Sequence, residues 1–345
     1  MCRLKHLPEL LLPWYAANQR QLPWRQDTLP YHVWLSEIML QQTRVEAVKG
    51  YYERFLRELP TIEALAQAPE DRLLKLWEGL GYYPRVRNLQ RAARQIVERG
   101  SFPTEHAQIL QLSGVGPYTA GAIASICFGQ PTPAVDGNVL RVLSRLLART
   151  IERTEATELL EPVYPRGHCG DFTQALMELG ATVCVPNGAP SCDTCPVAHI
   201  CRARQQGRQA DFPQRQKKKP RRVEQRTVLI LRCGDKLAVC KRPSKGLLAG
   251  LWQFPDTEGT LTLQEAVSLA QQWGTEPQAP ELELERSHIF THVQWELRGI
   301  YLSCGAMAEC FCWYTLQELE EKIGLPTAYR QFLDVLQKGE NDGDH

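Results

Sequence analysis

The 345-residue sequence lacks an apolar run long enough to cross a bilayer, which takes roughly 20 consecutive apolar residues. Its N-terminal leucine stretch is interrupted by Pro8, Glu9 and Pro13, so we read no signal peptide there. These absences predict a cytoplasmic protein with reduced thiols and no membrane association. An excess of one charge is also missing, because 40 basic side chains are balanced by 39 acidic ones.

The balanced total conceals an uneven distribution of charge along the chain. Residues 1–201 carry 20 basic and 20 acidic side chains, residues 202–226 carry 10 and 2, and residues 227–345 carry 10 and 17. The middle segment therefore reads as a basic linker between a neutral domain and an acidic one. Its charge is explained equally well by a solvent-exposed linker and by a segment that contacts DNA phosphates.

The spacing of apolar residues changes near the middle of the chain. Up to about residue 183, apolar residues recur at three- and four-residue intervals, which predicts several short helices separated by proline and glycine. After residue 226, β-branched and aromatic runs such as residues 288–302 predict strands among further helices. The predicted helices include residues 70–80, 86–100, 137–150, 262–273 and 327–337. The predicted fold is an all-α domain followed by an α/β domain.

A Gly-x-Gly turn stands between two predicted helices. Residues Leu112–Gly116 follow a helical stretch that ends near Leu110 and precede an apolar helix that starts near Tyr118. Gly114 and Gly116 allow a tight turn, and the amides at the start of the next helix suit a phosphate oxygen of DNA. A plain turn between two helices explains the same glycines.

Two carboxylates occupy contrasting positions. Glu37 is in a predicted helix with Val33, Trp34 and Leu40 beside it, and this apolar environment should raise its pKa and keep a proton available. Asp136 precedes a predicted helix, whose dipole and amide donors should hold it ionised. One protonated and one ionised carboxylate is the arrangement used in glycoside hydrolysis, although a surface charge and a helix cap explain them as well.

Four cysteines lie within 18 residues, at Cys184, Cys192, Cys195 and Cys201. Four thiolates this close suit either a tetrahedral zinc ion or a [4Fe–4S] cluster. Zinc ribbons usually contain two Cys-x2-Cys pairs and this loop contains one, which favours the cluster and leaves zinc as an alternative. The other cysteines are read as ordinary reduced residues.

These motifs occur together in one known family. WLSEIMLQQT, GLGYYPRVRNL, the LSGVG hairpin, TAGAI, VDGNVLRVL and the cysteine loop stand in the same order as in MutY adenine DNA glycosylases, which residues 8–201 resemble. That family belongs to the helix-hairpin-helix superfamily, which includes endonuclease III. The resemblance implies a monomeric bacterial enzyme of base excision repair, acting at the nucleoid, with a [4Fe–4S] cluster on the four cysteines. Its substrate would be double-stranded DNA in which adenine is mispaired with 8-oxoguanine or guanine.

The resemblance also assigns roles to individual residues. Glu37 would protonate adenine N7, and Asp136 would stabilise the oxocarbenium ion. Tyr118 takes the place of the lysine that bifunctional relatives use as a nucleophile, which implies a monofunctional glycosylase. The residues implied to contact DNA or the flipped base are Arg25, Leu40, Gln42, Tyr82, Gly114, Gly116 and Gln174. For Leu40, Gln42 and Tyr82, core packing is the alternative role.

The end of the chain resembles the Nudix-like C-terminal domain of the same family. An active Nudix helix needs Arg-Glu-x-x-Glu-Glu-x-Gly to hold Mg²⁺, whereas residues 267–274 read Val-Ser-Leu-Ala-Gln-Gln-Trp-Gly. The domain should therefore bind without hydrolysing. Phe290, Thr291 and His292 match the Phe-Ser-His with which the family reads 8-oxoguanine, although an ordinary strand with Phe290 inward is an alternative.

These observations give predicted domain boundaries. The predicted helix-hairpin-helix glycosylase domain covers residues 1–201 and contains the cluster loop 184–201. A basic linker over 202–226, a Nudix-like domain over 227–340 and a disordered tail over 341–345 follow.

The cysteine loop departs from the family pattern in one respect. The segment between Cys184 and Cys192 is one residue longer than in the family and lacks the basic residues that relatives use to contact DNA, so Arg202 or Arg204 is expected to replace them.

Two alternative functions make different demands on the sequence. An endonuclease III-like glycosylase/lyase for oxidised pyrimidines would require lysine at position 118. A non-catalytic DNA-binding module with an attached nucleotide hydrolase would require the Nudix carboxylates.

Overall fold

The computed structural model describes residues 3–214 and 220–336. The described residues divide into two compact units, of which the first comprises residues 3–67 and 87–214 and the second comprises residues 68–86 and 220–336. The middle of the basic linker and the predicted tail lie outside the described residues. Within the described ranges, no helix has the length and apolar character needed to cross a membrane.

The described part of the first unit consists of helices and connecting turns, as the sequence predicts. The helices before the cysteine loop are α1 (Leu7–Asn18), α2 (Pro30–Leu40), α3 (Val45–Glu58), α4 (Ile62–Gln67), α5 (Glu70–Leu76, in the second unit), α6 (Pro84–Arg99), α7 (His106–Ile109), α8 (Pro117–Phe128), α9 (Gly137–Leu147), α10 (Arg153–Leu160) and α11 (Cys169–Thr182). The short helix α12 (Arg202–Gln205) follows that loop.

Helix α11 lies at the centre of the first unit, where it packs against α1, α8 and α9. Its residue Phe172 is fully buried in a core that includes Leu11 of α1 and Val139 and Leu143 of α9. Val139 and Leu143 are four residues apart and therefore share one face of their helix. Burial of these faces brings the N-termini of α8 and α9 close to the middle of α11.

The predicted Gly-x-Gly turn joins α7 to α8. Gly114 has φ +75°, and a Cβ atom there would stand 2.5 Å from Cβ of Asn88 on α6. Both the left-handed backbone and the close approach of α6 therefore require glycine at this position. The turn is thus fixed in place by α6 directly before α8 begins.

The second unit is built on a mixed sheet, which confirms the predicted α/β class. Its strands are β1 (Arg222–Cys233), β2 (Lys236–Lys241), β3 (Trp252–Gln253), β4 (Asp256–Glu258), β5 (Pro277–Ile289), β6 (Val293–Cys304) and β7 (Cys312–Thr315). Its later helices are α13 (Leu263–Gln272), α14 (Leu316–Lys322) and α15 (Thr327–Arg330).

The main path of the sheet runs β3-β2-β1-β6-β5, with β4 paired to β1 and β7 paired to β2. Strands β1 and β6 are parallel, and the other pairs are antiparallel. Alternate residues of β1 face opposite cores, because Val228 packs in one buried cluster and Leu229 in the other. The run of apolar residues in β1 is continuous since helices cover both faces of the strand.

Residues 68–86 pack within the second unit, although the predicted boundary placed them in the first domain. Glu78, 8% exposed, accepts hydrogen bonds from the Leu325 amide at 2.9 Å and Lys75 Nζ at 2.7 Å, and it pairs with Arg330 at 2.9 Å. Asp71 accepts hydrogen bonds from Lys241 Nζ and from the indole nitrogen of Trp252. This segment is therefore held by charged contacts that no local sequence pattern reveals.

Two predicted elements differ from the structure. The strand expected over 288–302 is interrupted at residues 290–292, which form the turn between β5 and β6. The amide of Phe290 donates to the carbonyl oxygen of Val293 across this turn, at 2.8 Å. The helix expected over 327–337 is interrupted: α15 is followed by a turn at residues 331–333, where the Phe332 side chain packs in the core, and residues 334–336 are again helical.

Candidate active site

A large open pocket in the first unit brings together most of the residues predicted to act on the base. It is lined by α2, α8 and α11 and by the turns that precede α3, α8 and α9. The predicted residues in its wall are Arg25, Glu37, Leu40, Gln42, Gly114, Gly116, Tyr118, Asp136 and Gln174. Leu40 is half-buried and Gln42 is exposed, so neither is a residue of the core.

Glu37 of α2 is almost completely buried, with 7% of its surface exposed. Burial raises the pKa of its carboxyl to about 7, in the direction expected from its apolar neighbours. A hydrogen bond from Tyr118 and the charge of Arg25 lower this pKa, while the charge of Asp136 raises it further. The side chain can therefore hold or release a proton near neutral pH, as a general acid must.

Tyr118, in the first turn of α8, faces Glu37. Its hydroxyl donates to Glu37 Oε2 at 2.5 Å and lies 3.9 Å from the Met177 sulfur. Burial and the neighbouring carboxylates Glu37 and Asp136 raise the pKa of this phenol well above its ordinary value. Tyr118 is thus a neutral hydrogen-bond donor in the pocket.

Asp136 caps the N-terminus of α9, as the sequence predicts. Its Oδ1 accepts a hydrogen bond from the Val139 amide at 2.7 Å, and its Oδ2 accepts one from Asn138 Nδ2 at 2.8 Å. Burial raises the pKa of Asp136, and these donors limit the rise by stabilising the ionised form. Burial has the larger effect on this pKa, and the donors of the cap oppose it in the direction that the sequence predicts.

A chain of hydrogen bonds leads from Asp136 to the cysteine loop. Asn138, which donates to Asp136, accepts a hydrogen bond from the Arg141 guanidinium at 2.8 Å. Arg141 Nε in turn donates to the carbonyl oxygen of Cys184 at 2.8 Å, and its NH2 group donates to the carbonyl oxygen of Gly180. The loop and the capped carboxylate are thus linked through two side chains.

A buried ion cluster that sequence analysis missed forms the wall beside Glu37. The side chain of Glu178 is fully buried and pairs with Arg20 at 2.6 Å and Arg25 at 2.8 Å. Glu178 follows Gln174 by one helical turn of α11, so both side chains lie on the pocket face. A glutamate on an otherwise apolar helix face near Gln174 was the available signal, but its arginine partners lie about 150 residues earlier in the chain.

The four cysteines of the loop surround one small cavity, together with Arg145 and Gln209. Cys195 interacts electrostatically with the other three thiols. Arg145 donates to Cys184 Sγ at 3.2 Å, and Gln209 Nε2 stands 3.6 Å from Cys192 Sγ. Donors of this kind suit thiolates that carry negative charge. Among the described residues, no group of three or more His, Cys, Asp or Glu side chains is arranged so that it could hold a metal ion.

The two arginines expected to replace the missing DNA contacts follow this loop. Arg202 is exposed at the start of α12. Arg204 lines the cysteine cavity and pairs with Asp193 at 3.3 Å. Arg202 is therefore the better placed of the two to reach a phosphate.

The residues predicted to read 8-oxoguanine lie in the second unit. Thr291 and His292 are exposed in the turn between β5 and β6, and Phe290 packs edge-on against Trp295 with ring centroids 4.9 Å apart. The hydroxyl of Thr291 is hydrogen-bonded to that of Tyr82, which is 45% exposed and has a positive φ. The structure thus joins two residues that were singled out by unrelated motifs.

The helix that aligns with the Nudix helix is α13, which begins in a capping box of Thr262 and Glu265. Its residues Ala266 and Ala270 are buried against the sheet. Glu265, the acidic residue of α13, is used by the cap.

Comparisons with known proteins match both units. Residues 35–165 match the family described as HhH-GPD superfamily base excision DNA repair protein, and residues 226–335 match the NUDIX domain family. The adenine DNA glycosylase of Homo sapiens is 38% identical over 85% of this chain, which spans 66% of the human protein. The adenine DNA glycosylase of Buchnera aphidicola subsp. Baizongia pistaciae is 31% identical over 96% of both chains.

Solved structures support the fold of the first unit. A thermostable thymine-DNA glycosylase is 29% identical, with a TM-score of 0.55 over 59% of this chain and 98% of its own. A trapped endonuclease III–DNA covalent intermediate, 22% identical with a TM-score of 0.51 over 59% of this chain and 98% of its own, shows the same fold. Both the relatives and the two matched domains lead to one conclusion: the chain belongs to the adenine DNA glycosylase family of base excision repair enzymes.

Proposed function

We propose that this enzyme removes adenine mispaired with 8-oxoguanine or guanine in double-stranded DNA, working as a monomer at the bacterial nucleoid. One observation carries the proposal. Glu37, Tyr118 and Asp136 line a single pocket, in which Glu37 can hold a proton near neutral pH and Asp136 accepts hydrogen bonds that favour its anion. This pair matches the needs of N-glycosidic bond hydrolysis.

Each carboxylate would take a separate step in this reaction. An adenine flipped from the duplex enters the pocket, and Glu37 donates its proton to N7. The bond between sugar C1′ and N9 then breaks, its electron pair leaves with the base, and positive charge develops on the sugar. The anion of Asp136 stabilises that charge, and the Glu37 carboxylate takes the proton of the water that attacks C1′.

Other residues of the pocket would hold the flipped base and fill the space it leaves. Flipping costs a few kcal/mol, which wedge residues recover in part by replacing the lost stacking. The exposed Gln42 and half-buried Leu40 line the pocket, as do Gln174 and Arg25. We assign the first two to the duplex and the second two to adenine, with Gly114 and Gly116 presenting backbone to a phosphate.

Tyr118 supports a monofunctional reaction. A lyase needs an amine that attacks C1′ and forms a Schiff base, and a phenol cannot form one. The Tyr118 hydroxyl instead orients Glu37 through their hydrogen bond. The product of the proposed reaction is therefore an intact strand with an abasic site.

A [4Fe–4S] cluster is part of the proposal, and Cys184, Cys192, Cys195 and Cys201 would hold it. The shared cavity and the two donors, Arg145 and Gln209, are the observations that support it. When bound, such a cluster would act as a structural crosslink of the loop. The hydrogen bonds of Arg141 to Cys184 and Asn138 would then help to hold the Asp136 cap in place.

In the second unit, Phe290, Thr291 and His292 would read the base opposite adenine. Thr291 and His292 are exposed in a turn that Phe290 anchors in the core. A hydroxyl and an imidazole can accept and donate hydrogen bonds, so both suit the edge of 8-oxoguanine. The unit would contribute recognition and no hydrolysis.

Single-turnover assays with Glu37→Gln test the proposal. Labelled duplexes that carry each mispair are incubated with enzyme, and abasic sites are revealed by alkali. The wild type should remove adenine, whereas Glu37→Gln should bind the same duplex without releasing the base, because an amide cannot protonate N7. Glu53→Gln, at an exposed position of α3, is the matched control and should behave as wild type. Substantial adenine release by Glu37→Gln would refute the acid role.

A further inference from the structure

The fully buried Glu178 has no step in the reaction described above, yet it binds two arginines of the pocket. Its Oε1 accepts from Arg20 Nε at 2.6 Å and from the Arg20 amide at 3.2 Å. Its Oε2 accepts from Arg20 NH2 at 2.9 Å and from Arg25 NH2 at 2.8 Å. Four hydrogen bonds on one carboxylate hold it ionised, and they lower the pKa of Glu178 despite its burial.

Arg25 is the member of this cluster that acts on the proposed acid. Its side chain is 12% exposed, so its charge is only weakly screened by solvent. That charge lowers the pKa of Glu37 and so opposes the protonation of Glu37 on which the reaction depends. The NH1 group of Arg25 also donates to the carbonyl oxygen of Arg20 at 3.2 Å, which leaves the guanidinium little freedom to turn away.

We propose that Glu178 is a positioning residue that holds Arg25 against the adenine pocket and partly balances its charge, so that Arg25 can face the base while opposing the protonation of Glu37 less than an unpaired arginine would. The inference rests on the proposed function, because it requires Glu37 to act as the acid. Its physical basis is that a buried arginine without a counter-ion would favour the anion of any nearby carboxyl. Glu178 supplies the counter-ion from within the pocket wall.

The remaining charged and titratable groups around Glu37 do not supply this balance. Tyr118 and Cys127 face it from α8, Asp136 lies ahead of α9, and Arg153 of α10 interacts with Tyr118. Asp27 and Asp171 stand further round the pocket. None of these carboxylates is paired with Arg25 in the described structure, whereas Glu178 binds it directly.

The pH profile of the single-turnover excision rate tests the inference in the full-length enzyme. Because the reaction needs protonated Glu37, the wild-type rate should fall on the alkaline side of the profile. Glu178→Gln leaves Arg25 without its counter-ion, so this limb should move to lower pH by roughly half to one unit, a loss of roughly two- to fivefold at pH 8 relative to pH 6. Arg25→Gln should move the limb to higher pH, and the double variant should return it towards the wild-type position.

Controls separate the electrostatic effect from loss of structure. A purely structural role would lower the rate by the same factor at every pH and would leave the limb in place. Glu155→Gln, which breaks the exposed pair with Arg149 in the same unit, should leave the profile unchanged. If Glu178→Gln does not fold, Arg25→Gln still carries the test, since Arg20 continues to pair with Glu178.

The possible results distinguish the inference from the function on which it rests. Opposite shifts of the limb in the two single variants support the inference. A limb that stays in place in both single variants, in an enzyme that removes adenine, overturns the inference and leaves the proposed function standing. A wild-type enzyme that removes no adenine, or whose rate does not fall at alkaline pH, refutes the acid role of Glu37 and the inference with it.

Discussion

Tyr118 donates a 2.5 Å hydrogen bond to Glu37. This bond stabilises the carboxylate form of Glu37, whereas burial of the side chain stabilises the neutral form. The pKa of about 7 is the outcome of these opposing effects. An acid with this pKa can give up its proton to a nucleobase and accept one back from water at the same pH. A glycosylase that uses one residue first as general acid and then as general base requires this property.

The raised pKa of Glu37 predicts a pH-dependent cost to stability. Folded Glu37 binds its proton more tightly than the unfolded chain does, with a pKa of about 7 against 4.5. The free energy of unfolding should therefore fall as the pH rises from about 4.5 to 7, by up to about 3 kcal/mol. Glu37→Gln removes this cost, so the variant should be more stable than wild type at pH 8 and no more stable at pH 4.

Thermal unfolding of wild type, Glu37→Gln and the control Glu53→Gln across this pH range measures the effect. Glu53 is exposed and should give the wild-type dependence. A constant difference between Glu37→Gln and wild type at all pH values would show that Glu37 does not titrate in this range.

Tyr118→Lys should introduce strand cleavage. A lysine amine at this position, beside the proposed acid, can attack C1′ and form a Schiff base. Borohydride should then trap a protein–DNA adduct with an adenine mispair, seen as a shifted band on a denaturing gel. Tyr118→Phe is the control, and it should give no adduct because it carries no nucleophile. Adenine release by Tyr118→Lys without any adduct would mean that position 118 does not face the sugar.

Much of the fold could be predicted because it depends on local patterns. The apolar spacing of α9 and the capping position of Asp136 are features of consecutive residues, and both are found as expected. The apolar, β-branched run of β1 likewise predicts a strand, and the structure contains that strand. Resemblance to the family then supplied the pocket residues, whose shared location the structure shows.

The features that could not be predicted depend on contacts between distant residues. Glu178 meets Arg20 only because α11 packs on α1, and its charge gives no local sign of a partner. Glu78 joins the second unit through Leu325 and Arg330, about 250 residues later in the chain. The turn at Phe290 was read as strand because its residues are as apolar and β-prone as their neighbours.

Purified protein should be brown, with roughly four iron atoms per chain. Cys192→Ser should lose most of this iron, because it removes one of the four thiolates around the shared cavity. Cys310→Ser, an exposed cysteine of the second unit, should retain it. Iron and zinc are measured by elemental analysis on each protein, together with the visible absorption spectrum. If the wild-type protein is colourless and active and contains one zinc ion per chain, the four cysteines bind zinc and not a cluster.

The hydrogen bond between Tyr82 and Thr291 allows lesion recognition to be tested by point substitution. Truncation of residues 227–345 is a poorer test, because it would remove Lys241 and Leu325, which bind Asp71 and Glu78. Thr291→Ala removes the hydroxyl proposed to read 8-oxoguanine, and a base-specific contact is typically worth about 1–3 kcal/mol. The preference for 8-oxoguanine:adenine over guanine:adenine should therefore fall roughly tenfold or more, while Thr291→Ser, which keeps the hydroxyl, should preserve it.

A double-mutant cycle of Tyr82→Phe and Thr291→Ala shows whether the two hydroxyls act together. If Tyr82 orients Thr291, Tyr82→Phe should lower the preference in wild type and have little further effect in the Thr291→Ala background. Single-turnover rates and dissociation constants on both duplexes give the preference, and Thr260→Ala, an exposed threonine of the same unit, is the control. Equal losses from Tyr82→Phe in both backgrounds would mean that the tyrosine acts on DNA independently. An unchanged preference in Thr291→Ala would remove that residue from lesion recognition, because its hydroxyl would then make no contact that distinguishes the two bases.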